Sequence, residues 1–355
     1  MSFKSILGVL SVFLILGFSN IQAQVKDTEK KYVITNECIT RDEVRLCRIK
    51  ALKDIGDYID EGDLGGFIQS EKNLSHTGNS WVHDNAKIYG NAKVYENAQV
   101  YKYAKIFNDA KIYGDAKIYD YVEIANDAEI SGNAKVSGMA TISGKAKIYD
   151  YAKVSGMATI SDTAKIYDYA EIYGRAKVSG NARVHEVASV FGEAEISEGA
   201  NISGRSIVKD NAKVYGNAKL FLAMVFDNAM VYGNAEVYGE AIIYGRAKVY
   251  GEAKVHNQSK IYGDARIYGK AIVSDKAKVF GNAKVYDNAR IKWANVYDDA
   301  QVYDNANVSN RAKIFGNAKV FDRTKVSGNA KVSGDAEISD GTEVKDNTEI
   351  YSKAK

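Results

Sequence analysis

Four histidines are the side chains of this 355-residue sequence best suited to act as a base or a metal ligand near neutral pH. His83, His185 and His256 each follow a valine directly, in Trp-Val-His, Arg-Val-His and Lys-Val-His. Elsewhere in the chain that slot is usually held by Tyr or Ser. The three therefore read as outward rungs of a repeated strand, not as projections of a loop. His185 and His256 fall on one face, four turns of the repeat apart, or about 19 Å at strand spacing. They are too distant to share a metal ion or a proton. His76 lies in a different context and has no recognisable partner. No phosphate-cradling glycine loop, Cys/His zinc spacing or serine nucleophile motif stands out. The expectation is no catalytic residue, no metal and no cofactor.

The aromatic residues carry a stronger pattern. The slot after the aliphatic residue holds 19 of the 25 Tyr and seven of the 11 Phe, so the aromatics belong to the repeat itself. Sorted by threes, the units stack Tyr215, Tyr232, Tyr250, Tyr268, Tyr286, Tyr303 and Phe321 on one face. Lys248, Arg266 and Lys284 run beside them. A second face stacks Phe226, Tyr244, Tyr262, Phe280, Tyr297 and Phe315, and a third breaks at His256, Ser274 and Lys292. Two uses are open. Identical rings stacked at strand spacing stabilise the fold itself. A flat aromatic and basic strip of this length also suits an extended partner, an envelope glycan or another solenoid.

The element that must position these side chains is a hexapeptide. From Ala86 onward, 46 units follow one another, and all 45 complete ones carry Val, Ile or Leu two positions after the opening residue, usually Ala. In Ala-Lys-Val-Tyr, alternation puts Ala and Val on one face and Lys and Tyr on the other. Gly-Asn, Asp-Asn or Gly-Asp then turns the chain, because these residues tolerate positive φ. A four-residue strand cannot bury its apolar face alone, so it must coil and stack on copies of itself. The fold class is all-β, a single-stranded parallel β-helix, or β-solenoid.

The number of units per turn is also legible. Gly138 to Ser143 recurs as Gly156 to Ser161, and Ala146 to Tyr151 as Ala164 to Tyr169, both 18 residues on. Three units per turn predict a triangular rod of about 15 turns, roughly 70 Å long. Two units, Ala218 to Leu222 and Ala289 to Trp293, have lost one residue. The apolar positions resume in phase after each, which predicts tightened corners.

Before the repeat, Tyr32 to Leu52 reads as a hairpin turning at Asp42-Glu43, which sets Cys38 across from Cys47. In an exported protein a disulfide is favoured over two buried thiols. The segment is expected to cap the first turn, whose edge is otherwise exposed. Acidic Glu337, Asp340, Glu343, Asp346 and Glu349 load the last turns. Residues 1–23 read as a secretory signal, with Lys4, an apolar run from Ile6 to Leu16, and Ile-Gln-Ala before Gln24. The predicted division is 1–23 signal, 24–79 cap, 80–355 solenoid, for a bacterial protein that is periplasmic or secreted.

Gly62-Asp63-Leu64-Gly65-Gly66-Phe67-Ile68, Asn73-Leu74-Ser75 and Trp81 to Ala86, followed by the hexads, resemble the YdcK-type β-solenoid repeat family. The resemblance covers roughly residues 45–355. It implies a left-handed coil and, through the hexapeptide acyltransferases, an acyltransferase activity. This chain has Tyr, Ser or Phe after the aliphatic residue, where those enzymes usually place Gly, Asp or Glu. It has no inserted loop to cover an acyl donor either. The resulting expectation is a non-enzymatic structural or surface-binding rod. An acyltransferase and a self-assembling filament are the alternatives.

Composition agrees with this and excludes little more. A formal charge of +3 is too near neutral for an electrostatic nucleic-acid binder. No stretch after the signal has the ~18 apolar residues of a membrane span. The absence of Pro fits a chain whose N–H groups are nearly all needed in ladders.

Overall fold

A computed structural model describes residues 30–41 and 43–353. The expected signal segment, 1–23, lies outside the described residues.

Short strands alternate with two-residue corners, and each strand pairs in parallel with the one a full turn away. Lys117 faces Lys135 and Ile118 faces Val136, an 18-residue offset that holds along most of the rod. The ladders form three sheets of 18, 16 and 15 strands, here the first, second and third; the 18 include the cap strands. The chain visits them in the order first, third, second. Sixteen strands in the second sheet give about 16 turns.

The interior follows from the hexad. Opening Ala and central Val or Ile are fully buried from Ala86 to Val332. The Lys, Glu or Thr between them and the Tyr or Ser after them point outward. Where Ser replaces Ala, its hydroxyl is satisfied inside the wall. Ser259 Oγ donates to His256 O at 2.7 Å, and Ser206 Oγ accepts the Ala223 N–H at 3.2 Å.

The corners explain the recurring Gly and Asp. The first corner residue has positive φ, as at Gly138 (76°) and Asp150 (57°). A Cβ at Gly138 meets Gly156 O at 2.7 Å, so the stacked backbone itself favours glycine there. Aspartate tolerates the same conformation and caps the ladder. Asp120 and Asp162 carboxylates accept the N–H of Gly138 and Gly180, 18 residues on, at 3.1 and 2.9 Å.

The parallel ladder begins earlier in the chain than the hexads do. β1 (Tyr32–Arg41) and β2 (Val44–Ala51) form the hairpin, and β2 pairs antiparallel with β3 (Leu64–Ile68). β3 already lies parallel to β5 (Lys87–Ile88), with Phe67 opposite Lys87 and Ile68 opposite Ile88. Leu74 bridges to Val94, and β4 (Trp81–Val82) pairs with Gln99–Val100. Residues 64–82 thus make a complete turn without the hexad pattern. Gly66 is needed in it because a Cβ there lies 2.6 Å from Ala86 O.

Cys38 and Cys47 face each other across β1 and β2 and form a disulfide. Closing this small loop contributes about 2–3 kcal/mol in the chain-entropy account. The hairpin is bolted to the first turn by buried polar contacts. Lys31 is 1% exposed, and its ammonium donates to Ser80 O at 2.8 Å, Ser80 Oγ at 3.0 Å and Gly78 O at 3.2 Å. Burial pulls its pKa down to about 8. Tyr32 Oη donates to Leu74 O at 2.8 Å.

Candidate functional site

The seven aromatics of the first face stand in one continuous stack. Each side chain follows a first-sheet strand, and ring centres are 4.8 to 5.0 Å apart from Tyr215 to Phe321, with planes within 5° of parallel. The shortened units still make one side of a turn each, so the columns stay in register across them. Because each ring covers its neighbour, the faces inside the column are occupied. What the column presents outward is a ribbon of ring edges and phenol groups.

Burial of the phenols raises their pKa at Tyr232, Tyr250, Tyr268 and Tyr286. At Tyr286 burial, reinforced by Tyr268 and Tyr303, pushes it up to about 12. Tyr286 Oη donates to Gln301 Oε1 at 3.4 Å.

The cations run in their own column. Lys248 faces Arg266, which faces Lys284, on consecutive strands. The column continues through Gln301 to Lys319, whose ammonium is 2.6 Å from Glu337. Beside it is a groove of about 300 Å³ lined by Arg266, Lys284, Asn282, Gln301, Asp264 and Asp299. The arrangement offers charge and hydrogen bonds at strand intervals along a flat face. It offers no nucleophile held against a base.

The histidines sit in or beside such stacks. His83 stacks on Tyr101 at 4.1 Å, His185 on Tyr167 at 4.8 Å and His256 on Tyr238 at 4.6 Å. His83 Nε2 is 2.8 Å from Gln99 Oε1, and His185 Nε2 is 2.9 Å from Asn201 Oδ1. Burial holds the His83 pKa below its ordinary value, against the Gln99 contact that raises it. His76 differs from the sequence expectation, since it does have partners. Its ring stacks on Tyr32 at 4.3 Å, Nδ1 accepts the Lys31 N–H at 3.4 Å, and Nε2 is 3.9 Å from a Glu71 carboxylate oxygen. Among the described residues, no group of three His, Cys, Asp or Glu is placed to hold a metal ion.

The family comparison falls in the middle of this surface. Residues 259–275, just under one turn of the rod, match the family model of the YdcK β-solenoid repeat. Over these residues the chain carries that repeat. The matched YdcK segment contains Arg266 and Tyr268, one cation and one ring of the first face. No curated protein sequence matches the chain. Among the described residues, no helix is long and apolar enough to cross a membrane.

Sequence reasoning placed the columns but missed the corners as surfaces. Tyr103 and Tyr121 stack at 4.9 Å and Tyr151 and Tyr169 at 5.0 Å, all at corner positions and exposed, with Met139 and Met157 continuing the first pair. Leu222 and Trp293, the single-residue corners, also project outward. The two shortened hexads, four turns apart on one edge, were the available signal.

Proposed function

We propose that the protein is an exported, non-enzymatic rod of the bacterial envelope or exterior that binds an extended partner along its first face. The observation that carries this reading is the unbroken seven-ring column beside Lys248, Arg266 and Lys284. A periodic, flat, cationic ribbon is complementary to something long, such as an envelope glycan, or to the same face of a second solenoid. Ring faces are already used within the stack, so the partner meets edges, hydroxyls and ammonium or guanidinium groups.

The acyltransferase reading has less behind it. A base must reach its substrate within hydrogen-bond distance, yet three of the histidines are rungs of outward columns and His76 packs under the cap. No insertion longer than a corner interrupts the hexads from Ala86 onward.

Light scattering after size exclusion, combined with calorimetric titration of acetyl-CoA, separates the two. The expected result is a species that does not bind acetyl-CoA. A trimer that binds it overturns the non-enzymatic reading. Concentration-dependent polymers in negative stain identify the second solenoid as the partner.

A further inference from the structure

On the edge between the third and second sheets, the backbone changes direction in one stretch of the rod. From Asn97 to Val187 on that edge, the second corner residue donates its N–H to the turn that follows. Asn97 N–H reaches Gly114 O at 3.0 Å, and Val187 N–H reaches Gly204 O at 3.0 Å. Between and just after the two shortened corners the donation runs backward. Glu240 N–H reaches Leu222 O at 2.6 Å, Gln258 N–H reaches Gly239 O at 2.8 Å, Lys276 N–H reaches Asn257 O at 2.9 Å, and Arg311 N–H reaches Trp293 O at 2.6 Å. The N–H and C=O involved belong to the one peptide that joins the two corner residues, so that peptide has turned over. In these corners both residues then have positive φ, as in Asn257 and Gln258 (52° and 62°) or Asp275 and Lys276 (55° and 64°). This is the pattern of a type I′ turn, a conformation that side chains other than Gly and Asn rarely adopt. Such local strain often accompanies a binding site.

The same stretch holds a trough of about 530 Å³, a volume in the range of small-ligand sites. Leu222 and Trp293 lie four turns apart within its lining, about 19 Å at strand spacing. The third-sheet column beside it carries Phe221, Tyr238 and His256 and then loses its aromatics, with Ser274 and Lys292 in the next two rungs. Trp293 is 46% exposed. The Arg311 guanidinium lies 4.8 Å from its ring centre. Trp293 lines the trough and Arg311 does not, so the exposed indole is part of the trough wall and Arg311 backs it.

Planar polar groups line the rest. Gln258 Nε2 donates to Glu240 Oε2 at 2.8 Å, and Asn257 Nδ2 donates to Asp275 Oδ1 at 2.9 Å, each pair keeping further donors or acceptors free. Lys292 is 3.8 Å from Asp275. Among the described residues, Lys276 has no carboxylate partner. An apolar platform, fixed amides and carboxylates and an ammonium held in no salt bridge suit a sugar ring that carries an anion. A peptide suits the trough less well, because the corner N–H and C=O groups are engaged between turns and cannot add a strand.

We propose that this trough binds an acidic saccharide, with one pyranose ring on the exposed indole of Trp293 and its carboxylate on Lys276. The site lies on a different edge from the first-face column, so either can fail without the other.

The experiment titrates oligogalacturonate, a neutral cello-oligosaccharide and polyglutamate into the chain from Gln24 onward, by calorimetry and by tryptophan emission. The only other tryptophan, Trp81, is 1% exposed, so a change in emission on binding reports Trp293. Oligogalacturonate is expected to bind and shift the emission. Trp293→Ala abolishes the calorimetric signal while the thermal transition is kept. Lys276→Gln weakens binding about tenfold and flattens its salt dependence. Absence of oligogalacturonate binding overturns the proposal. So does equal binding of cello-oligosaccharide or polyglutamate, or binding that survives Trp293→Ala.

Discussion

Ile166→Asp is expected to cost at least about 4 kcal/mol and to split the rod's unfolding transition in two. Ile166 is fully buried in the third sheet, between Ile148 and Val184 on the neighbouring turns. The interior around it is Ala, Val and Ile, so an ionised carboxylate there meets no donor. Turns of a solenoid contact only their neighbours, so damage at one turn uncouples the two halves without removing their own contacts. Urea unfolding followed by circular dichroism reads the effect as a lowered midpoint and a broader or biphasic curve. Ile166→Val, which keeps the shape and removes one methyl group, is expected to cost only about 0.5–1.5 kcal/mol. An Asp variant with an unchanged midpoint would mean that the interior is wet at this turn.

Alkali is expected to unfold the rod through its own tyrosines. The phenols of Tyr232, Tyr250, Tyr268 and Tyr286 are raised by burial, that of Tyr286 to about 12, above the unfolded value near 10. Between those values the unfolded chain gives up protons that the native chain keeps. Stability is therefore complete below about pH 10 and is lost as the pH rises through the folded values. Lys31 works in the opposite sense. Its folded pKa of about 8 lies below the unfolded value, so its burial penalty is relieved between about pH 8 and 10. It is one group against a ladder of many. The expected curve rises slightly to about pH 10 and then falls steeply. Most of the tyrosinate absorbance should appear together with the loss of the β-sheet signal. Full ionisation with the signal intact would show that the phenols are solvated and the stacks loose.

What could be read in the sequence was what each hexad determines by itself. Ala and Val alternate with Lys and Tyr, so inside and outside follow from four residues. The 18-residue recurrences then set three units per turn and the composition of each column. The Cys38–Cys47 pairing followed from hairpin register in the same local way. What escaped depends on contacts between distant segments. Nothing near Gly66 in sequence says that Ala86 O will sit 2.6 Å from its absent Cβ, so the first turn was assigned to the cap. His76 gained its partners because the hairpin folds back over it. The reversed peptides at Gln258 and Lys276 are a choice between two orientations of one amide, coupled turn to turn. Their only trace in the sequence is the single-residue corners at Leu222 and Trp293. The ring columns and their stacking at strand spacing were legible, but not that neighbouring planes lie within 5° of parallel and leave ring edges outward.

The central claim is that the first-face column is a binding surface and not only a brace. Its most direct measurement is the binding of the chain from Gln24 onward to envelope polysaccharide and to itself, with Tyr250, Tyr268 and Tyr286 intact or all replaced by Ser. Serine already occupies this slot at Ser143, Ser161 and Ser179 in the same sheet, so the fold accepts it. The triple variant is expected to keep the circular dichroism spectrum of the parent and to lose binding. Binding that persists unchanged in a folded triple variant would contradict the claim and leave the column a structural ladder alone.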